Sequence, residues 1–187
     1  MNVKTSLLIL ADGFEEIEAL GTADVLRRLG LRVRLVGLSG RHVTGSHHIT
    51  VETEVTFEEA SFSSADALIL PGGMPGAANL LASEPLKQQI GLFTESGKIV
   101  AAICAAPAVL KAAGVAEGRR ITGYPGCEKL AGGGFSFSEA MVERDGNIIT
   151  GKGPGATFLF AAEIARALGC TAEETDQVLK SMFAALS

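Results

Sequence analysis

The stretch KIVAAICAAPAVLKAAG, at residues 98–114, decides the fold. Residues 98–103, a lysine followed by five apolar residues, predict a buried strand. Residues 105–113 predict a helix, with Pro107 near the first turn, where the missing N–H of proline costs nothing. Cys104 lies between the two, so its side chain is expected on a sharp strand-to-helix turn at the carboxyl edge of a parallel sheet. The stretch therefore predicts an α/β fold with a cysteine at a nucleophile elbow.

Segments on both sides of this stretch predict the other elements. Residues 3–10 predict a buried strand, 15–29 a helix and 31–38 a second strand, which together make a βαβ opening. Residues 41–57 are polar and predict short, more exposed antiparallel pieces. The remaining predictions are a strand at 66–70, a helix at 85–97, a short strand at 119–123, a flexible loop at 132–134, a hairpin at 141–150, a helix ending at 168 and a last helix at 171–185.

Length and composition indicate one ordinary globular domain over residues 1–187. Hydrophobic residues make up 47% of the chain, which has 23 glycines and no tryptophan. Such a composition predicts a core of small aliphatic side chains with many close backbone contacts, which favours a mostly parallel α/β sheet. The net charge is -5 and no run of like charges occurs, which argues against a nucleic-acid footprint. The aliphatic run at the N-terminus has four residues, too few for an export signal, and no stretch approaches a membrane span. These features predict a cytoplasmic protein.

The three cysteines differ in their surroundings. Their odd number and wide spacing exclude a disulfide framework and a zinc site. The helix N-terminus next to Cys104 favours the thiolate, so we expect the pKa of this thiol to be lowered. The alternative is that Cys104 is a small buried hydrophobic residue. Cys127 and Cys170 lack the elbow context and are expected to take no part in chemistry.

A nucleophile also needs donors for a developing oxyanion. The backbone N–H of Ala105 follows the elbow directly and is one natural donor. The strand at 66–70 runs into Pro71, Gly72 and Gly73, whose glycines allow a close backbone approach, and the N–H of Gly73 is the second expected donor. An ordinary turn is the alternative interpretation of this loop.

Proton transfer requires a titratable group near the nucleophile. Glu15, Glu16 and Glu18 follow the first strand, and on a helix Glu15 and Glu18 share one face while Glu16 points away. A glutamate directed into a dry pocket would have a raised pKa and could share a proton with a thiolate. A solvated helix start is the alternative for two of the three.

The histidines suggest no catalytic pair and no metal centre. His42, His47 and His48 all lie in the polar segment 41–57, for which we expect a surface setting. The adjacent His47 and His48 have no third ligand at a suitable spacing, so neither a metal nor a cofactor is predicted.

Four segments resemble motifs of the DJ-1/ThiJ/PfpI superfamily, in the same order and nearly end to end. They are LILADGFEEIE at 8–18, LILPGG at 68–73, AAICAAP at 101–107 and GKGPG at 151–155, and the chain is most similar to the DJ-1/YajL branch. The resemblance implies a flavodoxin-like three-layer α/β/α sandwich, a homodimer and an elbow cysteine at Cys104. It places the conserved acid at Glu18, whose protonated carboxyl bonds the sulfur, and the oxyanion donors at Gly73 and Ala105.

The resemblance also implies an activity. The family is credited with removing methylglyoxal and glyoxal adducts from protein and nucleotide amines, with cofactor-free glyoxalase activity, and with chaperone and oxidative-stress roles. Human-type members carry a histidine where this chain has Tyr124, whereas YajL-like members carry an aromatic residue there. Tyr124 therefore leaves Glu18 as the expected acid and base. At the family's dimer interface, Arg28 matches one arginine near the partner's site, and His47 takes the place of a second.

Three hypotheses about function follow. The first is a cysteine-dependent deglycase-type hydrolase, or a glyoxalase-like lyase, that uses Cys104 on dicarbonyls or glycated amines. The second is a redox-sensing chaperone without turnover, in which Cys104 is oxidised to sulfinic acid. The third, an amidohydrolase or amidotransferase, is disfavoured because no histidine follows His48 in the chain.

Overall fold

The computed structural model describes residues 3–133 and 136–184. In this part of the chain, seven strands form one sheet in the order β5-β2-β1-β6-β7-β9-β8, and two form a separate antiparallel hairpin, β3 and β4. All neighbours in the large sheet are parallel except β8 and β9. The strands are β1 (Thr5–Leu10), β2 (Arg32–Gly37), β3 (His42–Thr44), β4 (Thr50–Glu52), β5 (Val55–Thr56), β6 (Ala67–Leu70), β7 (Ile99–Ile103), β8 (Val142–Asp145) and β9 (Ile148–Gly151).

Helices cover both faces of the sheet. They are α1 (Thr22–Arg28), α2 (Gly76–Ala82), α3 (Glu84–Glu95), α4 (Pro107–Ala112), α5 (Thr157–Ala167) and α6 (Ala172–Ser181). Because side chains alternate along a strand, Leu8 packs with Phe160 of α5 on one face, and Leu7 packs with Ile90 of α3 on the other. The helices α1 and α5 cover the first face, and α6 packs outside them through Leu179. The predicted three-layer flavodoxin-like α/β/α sandwich is confirmed.

The sheet order brings the motifs of the sequence to one edge. Strands β1, β6 and β7 are neighbours and run in the same direction. Their carboxyl ends therefore lie side by side, which is where open α/β sheets bind ligands. The segments that leave these three ends carry Glu18, Gly72 and Cys104, respectively.

Several predicted elements differ from those observed. No strand forms at 119–123, where only an isolated bridge joins Thr122 to Ser138, because Thr122 bonds side-chain and loop oxygens instead of a strand ladder. Val55 was expected in an exposed antiparallel piece, but it is buried in β5 and pairs in parallel with Val36 of β2. The Gly-Ala-rich helix α2 was not predicted.

Other predictions are confirmed or fall at the edges of the described chain. The hairpin of β8 and β9 forms as expected. Thr171 caps α6 with the capping box that its sequence predicts, but that helix ends at Ser181, and Ala185 lies outside the described residues. Gly134 of the predicted loop lies outside them as well. Within the described ranges, no helix combines the length and apolar character needed to cross a membrane.

Candidate active site

Cys104 occupies a constrained turn between β7 and α4. Its φ is +64°, in the left-handed region that a side chain with a Cβ rarely adopts, and this is the backbone of a nucleophile elbow. Its backbone N–H donates to the carbonyl of Gly151 at 2.9 Å, and its carbonyl accepts the N–H of Tyr124 at 2.8 Å. Two anchors from other segments thus hold the strained residue in place.

The Gly72–Gly73 loop touches the elbow through its backbone. A Cβ added to Gly72 would lie 2.7 Å from Cβ of Cys104 and 2.9 Å from Oε2 of Glu18, so no side chain fits there. Gly73 has a φ of +91°, and a side chain on it would collide with the backbone of Glu15. Both glycines are therefore required by close approach, and the alternative of an ordinary turn does not describe this loop.

Two backbone N–H groups act on the thiol of Cys104. Those of Gly73 and Ala105 both favour its charged form and so lower the pKa of this thiol. They are the two groups that the sequence analysis named as expected oxyanion donors. Fixed N–H dipoles in a buried position stabilise negative charge on a thiolate, or on an oxygen attached to the atom that the sulfur attacks.

Glu18 lies within a π-helical turn, Ile17–Gly21, that precedes α1. Such turns are frequent at functional sites because they redirect a side chain. The side chain is 1% exposed, and its Oε2 accepts the N–H of Gly72 at 2.8 Å. Among the described residues, Oε1 makes no hydrogen bond of ordinary geometry. Since Oε2 is committed as an acceptor, Oε1 is the oxygen available to carry a proton.

Burial raises the pKa of Glu18 to about 7. The charge of Glu15 acts in the same direction, while the N–H of Gly72 and the interaction with the Cys104 thiol act against it. A carboxyl group that titrates near neutrality can both give and accept a proton at physiological pH. The predicted pocket glutamate with a raised pKa is therefore Glu18.

The pKa of Cys104 shifts opposite to the direction expected from the sequence. The side chain is 9% exposed, and burial together with the neighbouring Glu18 raises the pKa of the thiol, against the opposing N–H groups of Gly73 and Ala105. The expectation of a lowered pKa was wrong because it considered only the helix N-terminus and not the desolvation of the thiolate. Thiol and carboxyl group form one coupled pair, and the thiolate is favoured when the proton resides on Glu18.

Glu15 and Glu16 are buried, so the alternative of a solvated helix start is wrong for both. The Oε2 atom of Glu15 accepts the backbone N–H of Glu18 at 2.7 Å and so caps the turn that carries Glu18. Glu16 accepts from the backbone N–H of His47 at 2.7 Å and pairs with its Nδ1 at 2.8 Å. Glu15 therefore positions Glu18. The sequence analysis missed this role, although an acidic residue at the start of a helix usually indicates that its carboxylate caps a backbone N–H.

Among the described residues, Glu15, Glu16 and His47 form the group that could hold a metal ion. Ligand atoms of Glu15, Glu16 and His47 lie within 4.8 Å of one another. However, Glu15 is committed to the N–H of Glu18, and Glu16 to the N–H of His47. We interpret the cluster as the network that joins the β3–β4 hairpin to the turn of Glu18.

Tyr124 contacts the elbow through its backbone N–H, which donates to the carbonyl of Cys104, and the residue is 51% exposed. The ring borders an open groove of about 540 Å³ that Met141 and Pro154 also line. Gly123, next to it, was not singled out from the sequence, yet a Cβ there would lie 3.0 Å from the carbonyl oxygen of Cys104.

The other two cysteines lie apart from these features. Cys127 and Cys170 are both half-buried, and burial raises the pKa of each thiol. The left-handed backbone and the two N–H donors distinguish Cys104 from them.

Comparison with known proteins places this geometry in a family. The model of the DJ-1/PfpI family matches residues 4–167. The chain belongs to the DJ-1/PfpI family. In fold it resembles the crystal structure of Drosophila melanogaster DJ-1beta, with a TM-score of 0.91 and 35% identity over 98% of this chain and 100% of that one.

Two relatives in the family carry the names of enzymes. A deglycase of Pyrococcus abyssi is 34% identical, over 87% of this chain and 98% of its own. A glutathione-independent glyoxalase of Caenorhabditis elegans is 33% identical, over 96% of each chain. The DJ-1/PfpI family thus includes proteins of both names.

Proposed function

We propose that the chain is a cysteine-dependent, deglycase-type hydrolase that acts on methylglyoxal or glyoxal adducts of amines. The observation that carries the proposal is the buried Glu18 carboxyl group beside Cys104, so close that a Cβ on Gly72 would contact both side chains. The backbone N–H groups of Gly73 and Ala105 favour the charged form of the thiol. A nucleophile, a proton carrier of pKa near 7 and an anion hole are the parts that addition to a carbonyl requires.

The first step breaks the bond to the amine. In a methylglyoxal adduct, the former aldehyde carbon carries a hydroxyl group and the amine nitrogen. The thiolate of Cys104, whose proton is held by Glu18, bonds to that carbon as the C–N bond breaks, and Glu18 gives this proton to the leaving amine. The product on the enzyme is a hemithioacetal, the same species that Cys104 would form directly with free methylglyoxal.

The second step is an internal redox change that needs no outside oxidant. The Glu18 carboxylate removes the hydrogen of the sulfur-bearing carbon as a proton and returns a proton to the neighbouring carbon, while the hydroxyl proton of the former aldehyde carbon moves to the ketone oxygen. The former aldehyde carbon becomes a thioester carbonyl, and the ketone becomes an alcohol. The N–H groups of Gly73 and Ala105 hold the oxygen that is negative between the two transfers. Water then cleaves the lactyl thioester and restores the thiol. Tyr124 borders the groove through which the rest of the adduct would extend.

Lactate release measured from a purified methylglyoxal adduct of an acetylated amino acid tests the proposal. We expect Cys104→Ala to abolish turnover and Cys127→Ala, the matched control, to retain it. A parallel reaction with an aldehyde scavenger separates a deglycase from a glyoxalase: continued turnover of the adduct indicates the former, and loss of all turnover the latter. A Cys104→Ala protein that releases lactate at the wild-type rate would refute both.

A redox-sensing chaperone role without turnover is the second candidate. The same two N–H donors and a protonated Glu18 could hold the oxygens of a Cys104 sulfinic acid. Mass spectrometry after mild peroxide treatment tests it. Selective oxidation of Cys104 supports the role, whereas equal oxidation of Cys127 and Cys170 contradicts it.

We also propose that the chain forms a homodimer, as the family resemblance implies. Within one chain Arg28 pairs with Asp24 at 2.8 Å and His47 pairs with Glu16 at 2.8 Å. The His47–Glu16 pair adjoins the turn of Glu18, and the exposed Arg28–Asp24 pair lies on α1, which follows that turn. Light scattering of the purified protein tests the oligomeric state, and a monomer at micromolar concentration would contradict it.

A further inference from the structure

A second cavity lies at the sheet edge opposite Cys104. It has a volume of about 620 Å³ and is formed where β1 and β2 begin. Because the two strands are parallel, their amino ends lie at the edge away from the elbow. Its lining residues include Lys4, Arg32, Arg34, Ser61, Ser64 and Asp66. The volume is in the range of ordinary small-molecule sites.

Two arginines in this cavity differ from the rest. Arg32 and Arg34 make no salt bridge and no side-chain hydrogen bond with any described residue. The other seven arginines each lie within hydrogen-bond or salt-bridge distance of a carboxylate; they are Arg27, Arg28, Arg41, Arg119, Arg120, Arg144 and Arg166. In a chain with a net charge of -5, two neighbouring guanidinium groups without a carboxylate partner are unexpected.

The strand geometry directs both arginines to the same place. Residues 32 and 34 are separated by two positions, so their side chains share one face of β2. In the register of the sheet, Arg32 is opposite Thr5 and Arg34 is opposite Leu7. Both arginines therefore line the same cavity together with Thr5 and Leu7 of β1.

The remaining polar groups leave the cavity positive. Lys4 is paired with Asp66 at 2.8 Å, which neutralises both charges. Arg32 and Arg34 then contribute about two uncompensated positive charges. The Oγ atom of Ser61 accepts a hydrogen bond from Ser64 at 3.1 Å, so the Ser61 hydroxyl keeps its own hydrogen for another acceptor.

We propose that this cavity binds the phosphate group of a small phosphorylated molecule. A phosphate monoester carries about two negative charges at neutral pH and presents several acceptor oxygens. Planar guanidinium groups bind such oxygens in bidentate fashion, and the Ser61 hydroxyl supplies a further donor. Val3 and Leu7 form an apolar part of the cavity lining, which the organic part of the ligand would contact. The site is separate from Cys104, so its occupation does not depend on the proposed chemistry there.

Calorimetric titration of the wild-type protein tests the proposal. Inorganic phosphate and glycerol 3-phosphate serve as probes, with sodium chloride keeping the ionic strength constant. We expect saturable binding, tighter for the ester. Because hydrogen bonds to charged groups are strong, Arg32→Gln and Arg34→Gln should each raise the Kd by about tenfold or more. Arg144→Gln removes a charge of the same kind from an existing pair with Glu163 and should leave the Kd unchanged.

Amide chemical shifts of the wild-type protein locate the site without any variant. Shifts that move on addition of phosphate should cluster at residues 4–7, 32–34 and 61–66. Shifts confined to Gly73 and Ala105 would place the anion at the Cys104 site and overturn the proposal. An absence of saturable binding at 20 mM, or an equal loss of affinity in Arg144→Gln, would overturn it as well. Turnover at Cys104 should be the same in all three arginine variants.

Discussion

Replacing Glu18 by glutamine should remove a pH-dependent loss of stability that the wild-type protein shows. The pKa of Glu18 is raised from 4.5 to about 7 in the folded protein because the carboxyl group is buried. Below about pH 4.5 the group is protonated in both the folded and the unfolded state, so it contributes no pH dependence. As the pH rises toward 7, the unfolded state releases this proton while the folded state keeps it. The free energy of unfolding therefore falls over that window and levels off above it.

The expected size of the effect follows from the two pKa values. The interval from 4.5 to about 7, at about 1.4 kcal/mol for each pKa unit, corresponds to about 3 kcal/mol. Glutamine has nearly the same shape and does not titrate. The difference in unfolding free energy between Glu18→Gln and wild type should therefore shift by about 3 kcal/mol in favour of the variant between pH 4.5 and pH 7.5. This change with pH is independent of any constant offset caused by the amide.

Urea unfolding under reducing conditions, repeated across this pH range, measures the effect. Glu58→Gln, which removes an exposed carboxyl group, is the matched control and should show the wild-type pH dependence. A difference between Glu18→Gln and wild type that stays constant from pH 4.5 to pH 7.5 would show that Glu18 is not held protonated by burial. In that case its assignment as the proton carrier would be lost too.

Three further perturbations have defined outcomes. Gly72→Ala places a methyl group 2.7 Å from Cβ of Cys104, so we expect kcat/KM to fall by about 100-fold with an unchanged circular dichroism spectrum, and wild-type turnover would contradict the close approach. Thr171→Ala removes the side-chain cap of α6 and should lower the unfolding free energy by about 1 kcal/mol in urea, while an unchanged midpoint would show that this cap contributes nothing. Phe160→Ala empties a fully buried position between α5 and the sheet and should cost about 3 to 5 kcal/mol, so a loss below about 1 kcal/mol would contradict the packing described.

Much of the fold could be predicted from local patterns. The apolar runs of β1, β6 and β7 are buried on both faces, as parallel strands are, and so they read as continuous hydrophobic segments. The short strand expected at 119–123 does not form. Its Thr122 makes hydrogen bonds to Thr150, Ser138 and Ala140, which are distant in sequence and which no local pattern indicates. β5 was misassigned because two residues carry too little periodicity to show which sheet they join.

For the site, the sequence by itself determined the elbow, since an apolar strand, Cys104 and a helix with an early proline are consecutive. It also indicated Gly72 and Gly73, because glycines that follow a buried strand allow a close backbone approach, although an ordinary turn remained the alternative until the structure showed the contact. Residue patterns left the choice among the three glutamates open, and the family resemblance pointed to Glu18. Only the tertiary structure shows how this carboxyl group is held beside the elbow, as Glu18 accepts the N–H of Gly72 across 54 residues of chain. It also decided the direction of the thiol pKa. Burial depends on every layer packed around a group, and here its cost to the thiolate exceeds the help that the adjacent helix and N–H groups provide.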